Sequence, residues 1–213
     1  MDRRTAMLLV KIDPAKPISI NLPASSKMLL GTYFFVDASI TYFTPTQISD
    51  YNIIEITDPT LISDLSLLDY SIQDDGSVRK MTTGPNPLSE PLDEQLASFL
   101  RGAKFISKRN VGLVYDIKFS AVTYSETALE KSSWDQQLSE AYNVINSGAI
   151  TAPLLSVLAS AKGITLNEMA QRVITASELY TATCNQLVTE LKTHTSMIES
   201  ATTALELKNF GWI

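Results

Sequence analysis

Residues 165–200, TLNEMAQRVITASELYTATCNQLVTELKTHTSMIES, carry the strongest structural signal in the chain. Thr165 and Glu168 have the spacing of a capping box, which predicts that a helix begins at Leu166 and runs to about Ser200. Two sets of residues, offset by four positions, recur every seven residues along it: Leu166, Val173, Tyr180, Leu187, His194 and Ala201, and Ala170, Ser177, Cys184, Leu191 and Ile198. This spacing is typical of a helix that packs along one seam.

The larger apolar members of this seam are the candidate interaction residues of the chain: Leu166, Val173, Tyr180, Leu187, Leu191 and Ile198. Two partners fit the seam equally well, and they do not exclude each other. One is the helix around Trp134 in the same chain, which would give an antiparallel helical hairpin. The other is a second copy of the chain, and a homo-oligomer is therefore expected.

Shorter helices are predicted on both sides of the long one. A helix that starts at an N-cap, Ser125, and ends at Gly148 has an apolar stripe formed by Leu129, Trp134, Leu138, Ala141, Tyr142 and Ile145. Residues 153–163 form a second helix, which begins at a proline and stops at a glycine.

A third short helix follows a second capping box at residues 203–206, near the end of the sequence. The sequence then ends with Phe210-Gly211-Trp212-Ile213. Terminal residues are usually frayed unless they are held by packing. We therefore interpret Phe210 and Trp212 as a terminal anchor that docks into a hydrophobic groove.

The first half of the chain has a different pattern, rich in β-branched and aromatic residues with frequent Pro and Asp. Short strands bounded by turn residues are predicted at 6–12, 18–21, 32–36, 39–43 and 51–56. Residues 59–67 are predicted to form a helix with Asp58 as its N-cap and Pro59 at its first position. Residues 71–79 are predicted to form a hairpin around Asp75-Gly76.

The segment that joins the two halves combines three patterns. Residues 83–91 contain Gly84-Pro85-Asn86-Pro87, which predicts a loop or linker. Residues 92–107 are compatible with a helix. In residues 111–124, which are apolar and β-branched, large apolar residues occupy every second position from 111 to 119, which predicts a strand with one buried face: Val111, Leu113, Tyr115, Ile117 and Phe119. We therefore predict an α+β fold, with a small β-rich N-terminal domain at 1–124 and a C-terminal α-helical hairpin or bundle with one long helix at 125–213.

Composition restricts the partners. The 213 residues carry a formal net charge of −6, and the two basic clusters are short, so nucleic acid is not an expected partner. No apolar run approaches the roughly 20 residues that span a bilayer, so no membrane partner is expected either. The single cysteine, Cys184, excludes an internal disulfide and fits a reducing compartment.

No constellation of catalytic residues is found in the sequence. His194 is the only histidine, which excludes metal sites built from several histidines. Cys184 and His194 are ten positions apart on one predicted helix, about 15 Å along its axis, too far for a nucleophile and its base. Asp74-Asp75 is explained by its hairpin turn. We predict no catalytic, cofactor-binding or metal-binding residues, and a non-enzymatic protein without a cofactor.

Part of the helical region resembles a known family. The matching residues begin with Trp134-x-x-Gln137-x-x-Glu140-Ala141, continue with Pro153-Leu154-Leu155 and Ala161-x-Gly163-Ile164-x-Leu166, and end with Ala170-x-x-Val173-Ile174, Tyr180 and Ile198-Glu199-x-Ala201-Thr202. Over residues 125–205 this pattern resembles the C-terminal helical domain, of uncharacterised function, of bacteriophage tail and tail-fibre assembly proteins.

The resemblance implies a role in a phage tail and brings no catalytic residues. The protein would be a virion structural component of the tail, baseplate or tail-fibre attachment region, assembled in the host cytoplasm, with other tail or fibre proteins as partners. The alternative is a fibre-assembly chaperone that does not remain in the virion. Purified particles would contain the protein in the first case and lack it in the second.

Overall fold

The computed structural model describes residues 6–11, 22–30, 32–38, 43–72, 75, 78–80, 93–123, 127–147, 151–208 and 210. The predicted α+β class is confirmed, with a small antiparallel sheet followed by helices that include two long ones. The elements in chain order are β1 (Met7–Lys11), β2 (Lys27–Leu29), β3 (Tyr33–Asp37), α1 (Pro45–Asp50), β4 (Ile54–Ile56), α2 (Pro59–Ser66), β5 (Tyr70–Ile72), β6 (Val78–Lys80), α3 (Asp93–Val122), α4 (Ala128–Ser147), α5 (Pro153–Lys162), α6 (Leu166–Ser200) and α7 (Ala204–Leu207).

The main sheet has the strand order β2-β3-β1-β4, with every pair antiparallel. Both faces of its two central strands are buried. Leu9 lies opposite Phe35 on one face, and both side chains are almost completely inaccessible. On the other face, Val10 and Val36 form a cluster with Phe43 and Ile53. Two-sided burial explains why these strands are nearly continuous apolar runs instead of alternating with polar residues.

Several predictions for the first half are confirmed. Helix α2 begins at Pro59, and the Asp58 carboxylate accepts a hydrogen bond of 2.8 Å from the Thr60 N–H, as expected of its N-cap. Strands β5 and β6 pair as the predicted hairpin. The predicted strand at 18–21, most of the one at 39–43 and the loop at 83–91 lie outside the described residues.

One prediction is wrong: residues 111–124 do not form a strand, because α3 continues to Val122. The buried residues of its first half, Phe99, Ala103 and Ile106, recur at helical spacing. Val111 and Tyr115 are also buried and lie four positions apart, which is one helical turn. Burial of these two side chains outweighs the strand propensity of the β-branched residues around them.

The chain divides into two compact units, which do not follow the predicted boundary at 124/125. The first consists of Met1–Val111 and His194–Ile213, and the second of Gly112–Thr193. Helices α3 and α6 each contribute residues to both units, so the division falls within helices instead of at a linker.

Asp64 joins α2 to α3 within the first unit. Its carboxylate accepts hydrogen bonds from Arg101 Nε and Nη2, at 3.0 and 2.8 Å, and from Ser98 Oγ. The Asp64 carbonyl accepts the N–H of Leu67 in the last turn of α2. Gly102 lies directly against this carbonyl, and a Cβ atom added there would be 2.9 Å from the oxygen. Ser98, Arg101 and Gly102 thus form one docking surface for the end of α2.

The stability of the first unit is expected to depend on the ionisation of Asp64. Burial opposes that ionisation, but the hydrogen bonds from Arg101 and Ser98 prevail and hold the pKa of Asp64 below its usual value. The stabilisation by ionised Asp64 is therefore fully present above about pH 4, which is the usual pKa of an aspartate in an unfolded chain. It is lost as the pH falls through the lower pKa of Asp64 in the folded state.

Urea denaturation across an acid pH series would measure this contribution. We expect Asp64→Asn to be less stable than the wild type at neutral pH and to lose less stability on acidification. Glu178→Gln, which removes an exposed carboxylate from α6, controls for the change of one charge. Parallel pH profiles for the wild type and Asp64→Asn would contradict the prediction.

Candidate functional site

The candidate functional site is the seam of α6, and the structure gives each of its residues a position. None of the eleven seam residues is exposed: Ala170, Ile198 and Ala201 are buried, and the others are half-buried. Leu179 and Val188, which lie off the seam, are 69% and 49% exposed. The residues of the predicted seam thus lie on the less exposed side of α6. Helix α6 runs from Leu166 to Ser200, as predicted.

The N-terminal end of the seam belongs to the core of the second unit. Leu166 and Val173 pack against a cluster of buried residues from α4, α5 and α6. The buried members are Ala141, Val144, Ala152, Leu155, Ala159, Met169, Ala170 and Ile174. Gly163 ends α5 in the left-handed conformation, with φ of 64°, which allows the chain to turn within three residues into α6.

The face of α4 differs in part from the predicted stripe. Trp134, Leu138 and Ala141 are covered, but Tyr142 and Ile145 are 44% and 43% exposed. Val144 is buried in the core cluster instead. It lies three residues after Ala141 and therefore on the same face of α4, whereas Tyr142 lies on a different face. The helix begins at Ala128 after a reciprocal pair of hydrogen bonds between Thr127 and Glu130, and the predicted N-cap, Ser125, lies outside the described residues.

Glu140 is a structural residue that the sequence analysis missed. It is buried, and its Oε2 accepts the backbone N–H of Leu155 at 2.9 Å while its Oε1 accepts Gln136 Nε2. The N-cap residue of α5, Ala152, has no side chain that can cap the helix. Glu140 therefore caps α5 from a neighbouring helix. The sequence contains one indication of such a cap: the helix that begins at Pro153 is preceded by an alanine instead of a polar N-cap residue.

Replacing the Glu140 carboxylate with an amide is expected to lower the stability of the second unit. Glu140→Gln keeps one acceptor oxygen for the Leu155 N–H but removes its charge, which corresponds to about 1 kcal/mol for a charge-assisted hydrogen bond. Urea unfolding followed by circular dichroism would measure the change. The control is Glu178→Gln, which makes the same change at an exposed carboxylate. Glu130 would not serve, because it also caps a helix. Equal stability of the Glu140→Gln and Glu178→Gln variants would refute the proposed cap.

The middle of the seam contains an aromatic contact. Trp134 lies edge-on against Tyr180, with 5.4 Å between ring centroids and 68° between ring planes. The pKa of Tyr180 is raised, first by a hydrogen bond with the Cys184 side chain and then by burial. Cys184 is half-buried on the seam, as predicted for a packing residue. This contact brings α4 and α6 together within the second unit.

One carboxylate further along α6 binds the second half of α3. Glu190 Oε2 accepts the Tyr115 hydroxyl at 3.2 Å and lies 3.7 Å from Lys118 Nζ. Gln186 Nε2 donates to Glu190 Oε1 at 2.9 Å. Hydrogen bonds from Gln186 and Tyr115 lower the pKa of Glu190, whereas burial and this carboxylate raise the pKa of Tyr115. Glu190 is therefore ionised at neutral pH, and it connects α6, to which it belongs, with Tyr115 and Lys118 of α3.

The C-terminal end of the seam belongs to the first unit. Ile198 is inaccessible, and Lys104 Nζ donates to the backbone carbonyl of Glu199 at 2.8 Å, close to the end of α6. Lys108 Nζ lies 2.7 Å from the Glu199 carboxylate. Cations near a helix C-terminus are favourable because the last carbonyls are unpaired and partly negative.

Phe210, the first residue of the predicted terminal anchor, contacts the chain's own α6. It is half-buried and lies edge-on against His194, with 5.9 Å between ring centroids. Helix α7 begins at the predicted capping box, in which Thr203 and Glu206 bond each other's backbone N–H. Trp212, the second anchor residue, lies outside the described residues.

In the described part of the chain, no group of three or more His, Cys, Asp or Glu side chains is arranged to hold a metal ion. None of the helices within the described ranges has both the length and the apolar composition needed to cross a bilayer. Comparison with known protein families, with curated proteins and with solved structures finds no match for this chain.

Proposed function

We propose that this protein is a structural component of a bacteriophage tail, baseplate or tail-fibre attachment region, and that it acts by packing and self-association through α6. The observation that carries the packing role is the incomplete burial of the seam. Between Ile174 and Ile198 no residue of α6 is fully buried, although the apolar seam continues through Tyr180, Leu187 and Leu191. A second copy would complete the burial of these side chains.

Three carboxylates of the chain connect its helices. Glu140 caps α5, Glu190 binds α3 residues, and Asp64 joins α2 to α3. Each carboxylate is occupied by hydrogen bonds from the chain itself, which is what a scaffold requires. The assignment to a phage tail rests on the resemblance of residues 125–205 to helical domains of tail proteins.

Self-association is tested by introducing a charge at Leu187. A buried unpaired charge is far more unfavourable than the loss of the methyl groups alone. We expect the wild type to be oligomeric in analytical ultracentrifugation and Leu187→Asp to be dissociated or to lose the fold of the helical region. Val188→Asp places the same charge on the adjacent, 49% exposed residue and should change neither property. A monomeric wild type at all concentrations would contradict the proposal.

Mass spectrometry of purified phage particles tests the place of the protein in the virion. A structural component should be present at a fixed copy number relative to the other tail proteins. Its presence in infected-cell lysate but absence from purified particles would instead support the assembly chaperone. For the test of self-association, far-UV circular dichroism of Leu187→Asp and Val188→Asp distinguishes a loss of association from a loss of folding.

A further inference from the structure

The second half of α3 is helical, although its sequence has the pattern of a strand. Its alternating apolar residues, Val111, Leu113, Tyr115, Ile117 and Phe119, would all lie on one face of an extended chain. In the helix they point in different directions, which leaves Ile117 70% and Phe119 46% exposed. Residues 116–121 are all exposed. Local preference and observed conformation therefore disagree over this segment, and such conflicts are typical of functional or strained sites.

A glycine begins this segment, and packing does not require it. A Cβ atom added at Gly112 would meet no atom within 4 Å, in contrast to Gly102 in the same helix. Glycine in a helix interior is unfavourable relative to alanine because it loses more backbone freedom. Gly112 thus weakens α3 where the second compact unit starts.

Glu190 of α6 contacts two residues of this segment. Tyr115 is 5% exposed and donates its hydroxyl to Glu190, and Lys118 Nζ lies near both the Glu190 carboxylate and the Tyr115 ring, 4.4 Å from its centroid. Tyr115 and Lys118 are three residues apart, so one carboxylate binds consecutive turns of the segment.

We propose that residues 112–122 are a conformational switch, helical while Glu190 binds Tyr115 and Lys118, which opens as one unit from Gly112 and then presents a strand-forming face. This inference does not depend on the proposed tail function. It assigns separate roles to three features: the glycine sets the point of opening, Glu190 is the latch, and the alternating apolar residues determine the open form.

Amide hydrogen exchange of the full chain tests the opening step. We expect amides of residues 114–122 to exchange at one common rate, faster than those of residues 97–106. Gly112→Ala should slow them together by about two- to fivefold, as its helix propensity predicts. Glu190→Ala should accelerate them, and Glu178→Ala, on the same helix, should not. A gradient that rises toward Val122 and is insensitive to Gly112→Ala would show simple fraying and overturn the proposal, as would an unchanged rate in Glu190→Ala.

Infrared spectroscopy tests the open form. With the latch removed by Glu190→Ala, warming below the main unfolding transition should produce the amide I signal of intermolecular sheet. Adding Ile117→Gln and Phe119→Gln should abolish that signal, whereas adding Val157→Gln, at a 66% exposed residue outside the segment, should leave it. Absence of a sheet signal, or its persistence in the Ile117→Gln and Phe119→Gln variant, would overturn the strand-forming role.

Discussion

Gly102→Ala is expected to destabilise the first unit by about 1–3 kcal/mol, the usual range for overpacking. The added Cβ would lie 2.9 Å from the Asp64 carbonyl oxygen and 3.1 Å from its carbonyl carbon, and backbone atoms cannot rotate away as a side chain can. Relief would require the end of α2 to move from α3, which would also lengthen the hydrogen bonds that Ser98 and Arg101 donate to Asp64. The clash must therefore outweigh the better helix propensity of alanine.

Gly112→Ala is the matched control, because it makes the same change in the same helix where nothing lies within 4 Å of the added atom. It should stabilise the protein by about 0.5–1 kcal/mol through helix propensity alone. Urea denaturation midpoints of the two variants should thus shift in opposite directions. Stabilisation by both substitutions would mean that the end of α2 is not held against Gly102.

The parts of the fold that the sequence predicts well are those determined within a few residues. Asp58 and Thr203 cap helices that follow them directly, and Gly163 ends α5 through its own backbone conformation. These interactions join residues at most three or four positions apart, so their spacing alone identifies them. Helix α1 also begins with a local interaction, a capping box between Thr44 and Gln47. It was not predicted, because the surrounding sequence has the β-branched and aromatic composition of strands.

The second half of α3 was mispredicted because its conformation depends on distant partners. The period-two pattern is real, but Tyr115 is held by Glu190, which lies 75 positions later in the sequence. The same limit applies to the candidate site. Heptad spacing predicts the covered side of α6, whereas the contributions of Glu140, Lys104 and Lys108 depend on the tertiary fold.

Leu155→Ala is expected to lower the stability of the second unit by about 2–5 kcal/mol, the usual range for removing a buried leucine side chain. Leu155 is completely inaccessible and lies in the cluster that joins α4, α5 and the start of α6. Several of its neighbours in that cluster, including Ala141, Ala159 and Ala170, are alanines, whose side chains are too short to fill the space left by a leucine. A cavity should therefore remain, and its unfavourable energy adds to the lost burial of the leucine side chain.

The control for this prediction lies two residues further along α5. Val157 is 66% exposed, so Val157→Ala should change stability by no more than about 0.5 kcal/mol. Urea denaturation followed by far-UV circular dichroism would measure both variants, and a similar small loss for the two would contradict the assignment of Leu155 to the core. Because the backbone N–H of Leu155 is retained, its bond to Glu140 should survive in Leu155→Ala. A larger combined loss than the sum for Leu155→Ala and Glu140→Gln would then show that packing and capping of α5 depend on each other.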